Sequence, residues 1–224
     1  MSAEKPYNTR FWMRKRSPAV YARSMAKRGS YAKGVAKREE ILTRALEVVA
    51  EQGFRSASVR EIADAVGLSQ AGLLHYFGTK EQLFVEILRK RDEVDLVRFT
   101  HDPDSPAFIR EDYAAVIEHN SEVPGLVELF SRMSVEAADP EHPAHDYFVA
   151  RGEAVRTTFA EALRHRQEAG ELTDAIDAET LARIFQAVSD GLQVQWLLDR
   201  DVDMPGAVGA LFDALASPPP PRRP

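Results

Sequence analysis

SVREIADAVGLSQAGLLHYFGTK, residues 58–80, decides the fold. Ser58 and Glu61 stand at Ser-x-x-Glu spacing. There the hydroxyl can take the N–H of Glu61 and the carboxylate can reach back to the N–H of Ser58. Val59, Ile62, Ala63 and Val66 follow at helical spacing. Gly67 ends that helix, since the residue past a helix often needs left-handed backbone. Ser69 is the next N-cap, and Leu73, Leu74 and Phe77 carry a second apolar stripe. Gly78 breaks it. Thr79 and Gln82 make another capping box ahead of Leu83, Phe84, Ile87 and Leu88. Two short helices joined by a glycine-containing turn predict a helix-turn-helix of the kind that reads DNA.

Working outward, a helix is expected from about Val35 to Gln52, stopped at Gly53. Its Ile41, Leu42, Ala45, Leu46 and Val49 pack on the motif and complete a three-helix unit over residues 33–79. Residues 1–32 are basic and aperiodic and are expected to be a disordered arm. Behind the motif, a fourth helix from about Lys80 to Phe99 enters a second helical domain, residues 80–216. Ser105-Pro106 is expected to open a helix holding Phe108, Ile109, Tyr113, Val116 and Ile117. Pro124 opens another. Long helices are expected over about 144–169 and, capped by Asp177, to about Asp199. A short one opened by Pro205 follows, then a proline-rich disordered tail, residues 217–224. No strand and no internal repeat stand out, so the chain reads as all-α.

Composition narrows the function. The 224 residues contain no cysteine, which excludes disulfides and thiolate metal sites. No apolar run spans a membrane and no signal peptide is evident, so a cytoplasmic, nucleoid-associated protein is expected. The net charge of −6 hides an asymmetry. Residues 1–38 hold 11 Lys/Arg and one acid, Glu4, whereas the remainder hold 18 Lys/Arg and 34 acids. A basic arm on an acidic body suits a protein that touches a polyanion with one end.

The segment resembles the DNA-binding domain of the TetR family of bacterial transcriptional regulators. Ile41, Ala45 and Phe54 match it, as do Ile62, Ala63, Gly67, Leu68, Ser69, Leu73, Tyr76, Phe77, Lys80, Leu83 and Phe84. Many members have Tyr where this chain has Leu74, and His where it has Tyr76. Met25 opens MAKRGSYAKG, which resembles the usual start of related regulators, so residues 1–24 are expected to be dispensable. Residues 170–199 look like a C-terminal region common among actinobacterial members. The resemblance implies a homodimeric regulator without cofactor, a repressor released from a near-palindromic operator by a small-molecule effector.

The helix from Gln70 to Phe77 is the expected reader. Gln70 can pair two-fold with adenine, and Arg60 resembles an outward family position that approaches guanine. Ala71 and Gly72 let the helix sit deep, Ala71 can touch a thymine methyl, and His75 points outward. Ser58, Ser69 and Thr79 sit at helix N-termini that attract phosphate. Lys80 looks like the family's phosphate-binding lysine, and Tyr76 can donate its hydroxyl. Tyr31, Lys33 and Lys37 could straddle the backbone or enter a minor groove.

An effector pocket is expected among the middle helices, lined by His119, Phe130, Met133, Phe148, Phe159, Gln193 and Trp196. The helix over 177–199 carries two apolar stripes: Leu181, Phe185, Val188, Leu192 and Trp196, and Ile184, Ala187, Gly191, Val194 and Leu198. One is core and the other half of a dimer interface, which Val208, Leu211, Phe212 and Leu215 of the last helix complete. Which stripe is which stays open at this point. Asp139, Glu141, His142, His145 and Asp146 have metal-ligand side chains but read as an acid-rich loop, and no metal is assigned. No catalytic constellation stands out, so no enzyme is expected. Two rivals remain: a helical interaction module that does not read DNA, and a constitutive DNA-binding protein without effector.

Overall fold

The computed structural model describes the backbone of residues 28–53, 57–99 and 110–216, and the side chains of 34–51, 53, 57–95 and 110–216. Phe54, Ser105, Pro106, Phe108 and Ile109, residues 1–24 and the tail 217–224 lie outside the described residues. Nine helices are found among the described residues. They are α1 (Arg28–Gln52), α2 (Val59–Ala65), α3 (Gln70–Phe77), α4 (Lys80–Phe99), α5 (Arg110–Glu122), α6 (Pro124–Glu136), α7 (His145–Glu168), α8 (Ala178–Leu198) and α9 (Met204–Leu215). The only β pairing among them is an isolated bridge between Leu172 and Ala216. The all-α expectation holds.

The chain divides into two compact units, residues 1–38 and 39–224. In the first, α1 begins at Arg28 rather than near Val35, so helix replaces the last residues of the expected arm. The run RGSYAKG contains two glycines but no proline. Its glycines weaken a helix by about 1 kcal/mol each without forbidding it.

In the second unit, two apolar clusters form. The first joins Ile41, Ala45, Val49, Ile62, Leu73, Phe77, Leu83 and Leu88 to Leu126, Leu129, Phe130, Met133 and Tyr147. The fourth and sixth helices therefore share a core with the helix-turn-helix. The second cluster holds Ile117, Leu163, Leu181, Phe185, Trp196, Met204, Val208 and Phe212. Tyr113 is stacked on Phe159 at 4.9 Å between ring centroids.

A close backbone contact joins the end of α1 to α6. Gly53, at φ 81°, ends α1 and donates its N–H to the Val49 carbonyl at 3.1 Å. Gly125, in the first turn of α6, lies directly on that carbonyl and on the Gly53 backbone, so close that no side chain fits between.

The two stripes of α8 are now told apart. Leu181, Phe185 and Trp196 are buried, whereas Val194 is 48% exposed and Leu198 86%. The last helix corrects an expectation. Val208 and Phe212 are buried in this chain's own second cluster, with Leu211 and Leu215 packed against it. An amphipathic helix turns its apolar stripe to the core, so Val208 and Phe212 are taken up inside this subunit, whereas Leu211 and Leu215 stay half-buried.

Candidate nucleic-acid interface

The interface is built from caps. Ser58 accepts the N–H of Glu61 at 3.3 Å, and its own N–H donates to the Glu61 carboxylate at 2.7 Å, closing the box the sequence predicted. Those hydrogen bonds hold the Glu61 carboxyl below its ordinary range. Ser69 accepts the N–H of Gly72 at 3.0 Å and starts α3. Thr79 accepts the N–H of Gln82 at 3.1 Å and starts α4. Gly67 and Gly78 take φ of 68° and 86°, the left-handed backbone needed to leave one helix and enter the next.

Leu73 and Phe77 anchor α3 in the core. At 100° per residue, Ala71 and His75 fall on the opposite face, and both are exposed, as is Gln70 in the first turn. Arg60 is exposed on α2, 3.9 Å from Asp64. Lys80 is exposed, with its ammonium 5.6 Å from the centre of the Phe84 ring. Tyr76 is half-buried against the first cluster, with its ring edge-on to His75 at 6.2 Å. Arg60 thus belongs to α2, Ser69 to the cap of α3, Gln70, Ala71, Gly72 and His75 to α3, and Lys80 to the start of α4. The side chains of Tyr31 and Lys33 lie outside the described residues, and Lys37 belongs to the first unit.

The expected pocket residues do not gather in one place. Phe130, Met133 and Phe148 belong to the first cluster, Phe130 and Phe148 being 5.3 Å apart. Phe159 and Trp196 belong to the second. His119 on α5 is half-buried, 2.9 Å from Glu122, and Gln193 is buried. An open groove of about 650 Å³ lies elsewhere, between α6 and the end of α8, lined by Glu128, Arg132, Val135, Val194, Leu197, Leu198 and Arg200. His145 donates from Nδ1 to the Ala137 carbonyl, and His142 Nδ1 accepts the N–H of Ala144. Among the described residues no group of three or more carboxylates and imidazoles could hold a metal.

The sequence reading missed a buried polar network in the body. Asp92 on α4 accepts from Tyr147 at 2.6 Å, from Arg91 at 2.9 Å and from Arg151 at 3.0 Å. Burial works against its charge, but the two guanidiniums and the tyrosine outweigh burial and hold its carboxyl low. Arg91 is 7% exposed and its guanidinium lies 4.9 Å from the centre of the Phe130 ring. The signal was available: position 91 continues the stripe of Phe84, Ile87 and Leu88, so a charge there had to be buried and paired.

A helix-turn-helix head with capped, solvent-facing reading helices, joined through Gly125 to a helical body, defines a DNA-binding transcriptional regulator. Comparison with known proteins agrees. Residues 41–87 match bacterial regulatory proteins of the tetR family, and residues 136–217 match the C-terminal part of BetI-type transcriptional repressors. The HTH-type transcriptional repressor AcnR of Corynebacterium efficiens is 29% identical over 178 residues, covering 71% of this chain and 81% of that protein. The repressor KstR2 of Mycobacterium tuberculosis is 24% identical over 168 residues, covering 71% and 80%. The crystal structure of a regulator from Saccharomonospora viridis in complex with choline superposes with a TM-score of 0.65 at 23% identity, covering 83% of this chain and 99% of that one. The chain belongs to the TetR family of bacterial transcriptional regulators. Among the described residues no helix is long and apolar enough to cross a membrane.

Proposed function

We propose that this regulator is a homodimeric repressor, released from a near-palindromic operator when a small molecule binds its helical body. The observation that carries the reading is the exposed face of α3 above a buried Leu73–Phe77 anchor. Gln70 and Arg60 reach base edges; Ala71, Gly72 and His75 line the groove floor. Ser58, Ser69, Thr79, Tyr76 and Lys80 position the phosphates, with Tyr31, Lys33 and Lys37 on the adjoining backbone. Residues 33–79 act as the reading head and 80–216 as the regulatory body, in the cytoplasm on the nucleoid. The repressor names of AcnR and KstR2 support the direction of control.

The dimer is assigned to the outer stripe of α8. Leu198 and Val194 are exposed there, and Val135 of α6, 75% exposed, faces the same groove. Arg132 and Arg200 beside Glu128 and Glu136 give that surface both signs of charge, as a two-fold interface needs. Coupling requires that the effector bind the DNA-incompetent state more tightly. The Gly125 contact gives the body a rigid path to α1. A shift assay on the chain's own upstream DNA, repeated with cell extract metabolites, tests the reading. A specific complex lost on adding metabolites supports it, and no complex with that DNA refutes it.

A further inference from the structure

Leu74 is an apolar side chain on the reading helix that the core does not take up. Leu73 and Phe77 are buried, and Tyr76 packs against the first cluster. Leu74 is half-buried. Among the described residues it belongs to neither cluster, nor to the side chains packed against them. Its backbone is held from both ends. The Ser69 cap sets the start of α3, and the Leu74 carbonyl accepts the N–H of Gly78 at 2.7 Å. At about 100° per residue, Leu74 falls in projection between Gln70 and Ala71, one turn further along. Gln70, Ala71 and His75 are exposed. Leu74 therefore stands at the edge of the exposed face, with Gln70 four residues and Ala71 three residues before it on the same surface.

The chemistry of that position is selective. Leucine neither donates nor accepts a hydrogen bond. In the major groove the base edges present donors and acceptors, and the thymine C5 methyl is the apolar exception. Against a polar edge the isobutyl group would displace water and return no hydrogen bond, leaving the base group unpaired at a cost. Against thymine it buries a methyl instead. Ala71 widens the same apolar patch, and the Gln70 carboxamide next to it suits adenine. The three side chains together suit neighbouring A·T base pairs.

We propose that Leu74 is a specificity-determining residue that reads the C5 methyl of one thymine in the operator, beside the base contacted by Gln70. The proposal rests on the reading above that α3 enters the major groove. It adds a base contact made by shape and apolarity to those made by hydrogen bonds.

Replacing each thymine of the upstream operator in turn by deoxyuridine removes only the methyl, and binding of the full chain to each duplex tests the proposal. One uracil position in each half-site should weaken wild type about fourfold, the worth of one buried methyl. At that position 5-methylcytosine should bind better than cytosine by a similar factor, because it restores the methyl on a different base. Leu74→Ala should bind the thymine operator about fourfold or more weaker, bind a random duplex unchanged, and no longer distinguish uracil from thymine there. Leu74→Gln, which keeps the length and the helix propensity, should lose the same discrimination and stands in should Leu74→Ala fail to fold. No uracil effect on wild type, an equal uracil effect on wild type and a folded variant, or equal losses on operator and random duplex would each overturn the proposal. Two unfolded variants would place Leu74 in the core and overturn it too. The underlying reading is judged separately. If Gln70→Ala loses operator affinity alone while no uracil matters, α3 remains the reader and Leu74 is not part of it. If neither Gln70→Ala nor any uracil alters operator binding, the placement of α3 in the groove fails with the proposal.

Discussion

Gly125→Ala is a one-methyl change with a large expected effect. The new methyl would be driven into the Val49 carbonyl oxygen and would stand 2.7 Å from the Gly53 Cα and 3.1 Å from the Val49 carbonyl carbon. Comfortable carbon–carbon contact begins near 3.5 Å, so Gly53 must retreat by about 0.8 Å. All three atoms are backbone, so no rotamer change relieves the clash. Gly53 is further held by its N–H bond to Val49 and by the Ala57 N–H bonded to its carbonyl at 2.9 Å. Overpacking of this kind costs about 1–3 kcal/mol, and a backbone-on-backbone contact belongs at the upper end. The better helix propensity of alanine offsets less than about 1 kcal/mol. A net loss of about 2–3 kcal/mol should lower the melting temperature by roughly 4–12 °C in a domain of this size. Thermal melting followed by circular dichroism measures it. Since α1 packs on the helix-turn-helix, operator affinity should fall as well. A melting temperature within about 1 °C of wild type would refute the close approach of α6 to α1.

Gly191 has open space around it, so Gly191→Leu should leave the fold intact and produce a monomer with weakened operator binding; a fully dimeric variant by light scattering would remove the α8 stripe from the interface. Asp190 has a raised pKa, so its contribution to stability is present below the unfolded value of about 3.9 and lost as pH rises through the folded value. Asp190→Asn should therefore melt higher than wild type near pH 7.5, with the gap closing toward about pH 4; an unchanged gap means the carboxylate is not strained by burial. Asp92 works the other way, its stabilisation being lost on acidification, and it titrates equally in both proteins. Lys80→Ala should weaken binding to all DNA similarly and reduce the salt slope by about one; an unchanged slope removes Lys80 from the phosphates.

The head was legible because its information is local. Ser58 with Glu61, Ser69 with Gly72 and the positive-φ glycines Gly67 and Gly78 are all settled within four residues of chain. The body was legible in its helices and not in its partners. Periodicity showed that α8 has two apolar faces, but only tertiary packing says that Phe185 faces inward and Leu198 outward. The same limit explains Val208 and Phe212, whose stripe looks alike whether its own core or a second subunit covers it. Arg91 sits in KRDEVD, where charge suggests solvent, yet it is buried over the Phe130 ring, and its neighbour Asp92 is bonded by Tyr147 and Arg151 more than fifty residues away. The expected pocket aromatics split between two cores because aromatic content marks burial without saying which cluster does the burying.

The most direct test of DNA reading by α3 is the affinity of wild type, Gln70→Ala and Arg60→Ala for the upstream operator and for a random duplex of equal length at one salt concentration. Base contact predicts a loss of about 1–3 kcal/mol on the operator for each variant and almost none on the random duplex. Equal losses on both duplexes would contradict it and leave Gln70 and Arg60 as residues that only position the protein.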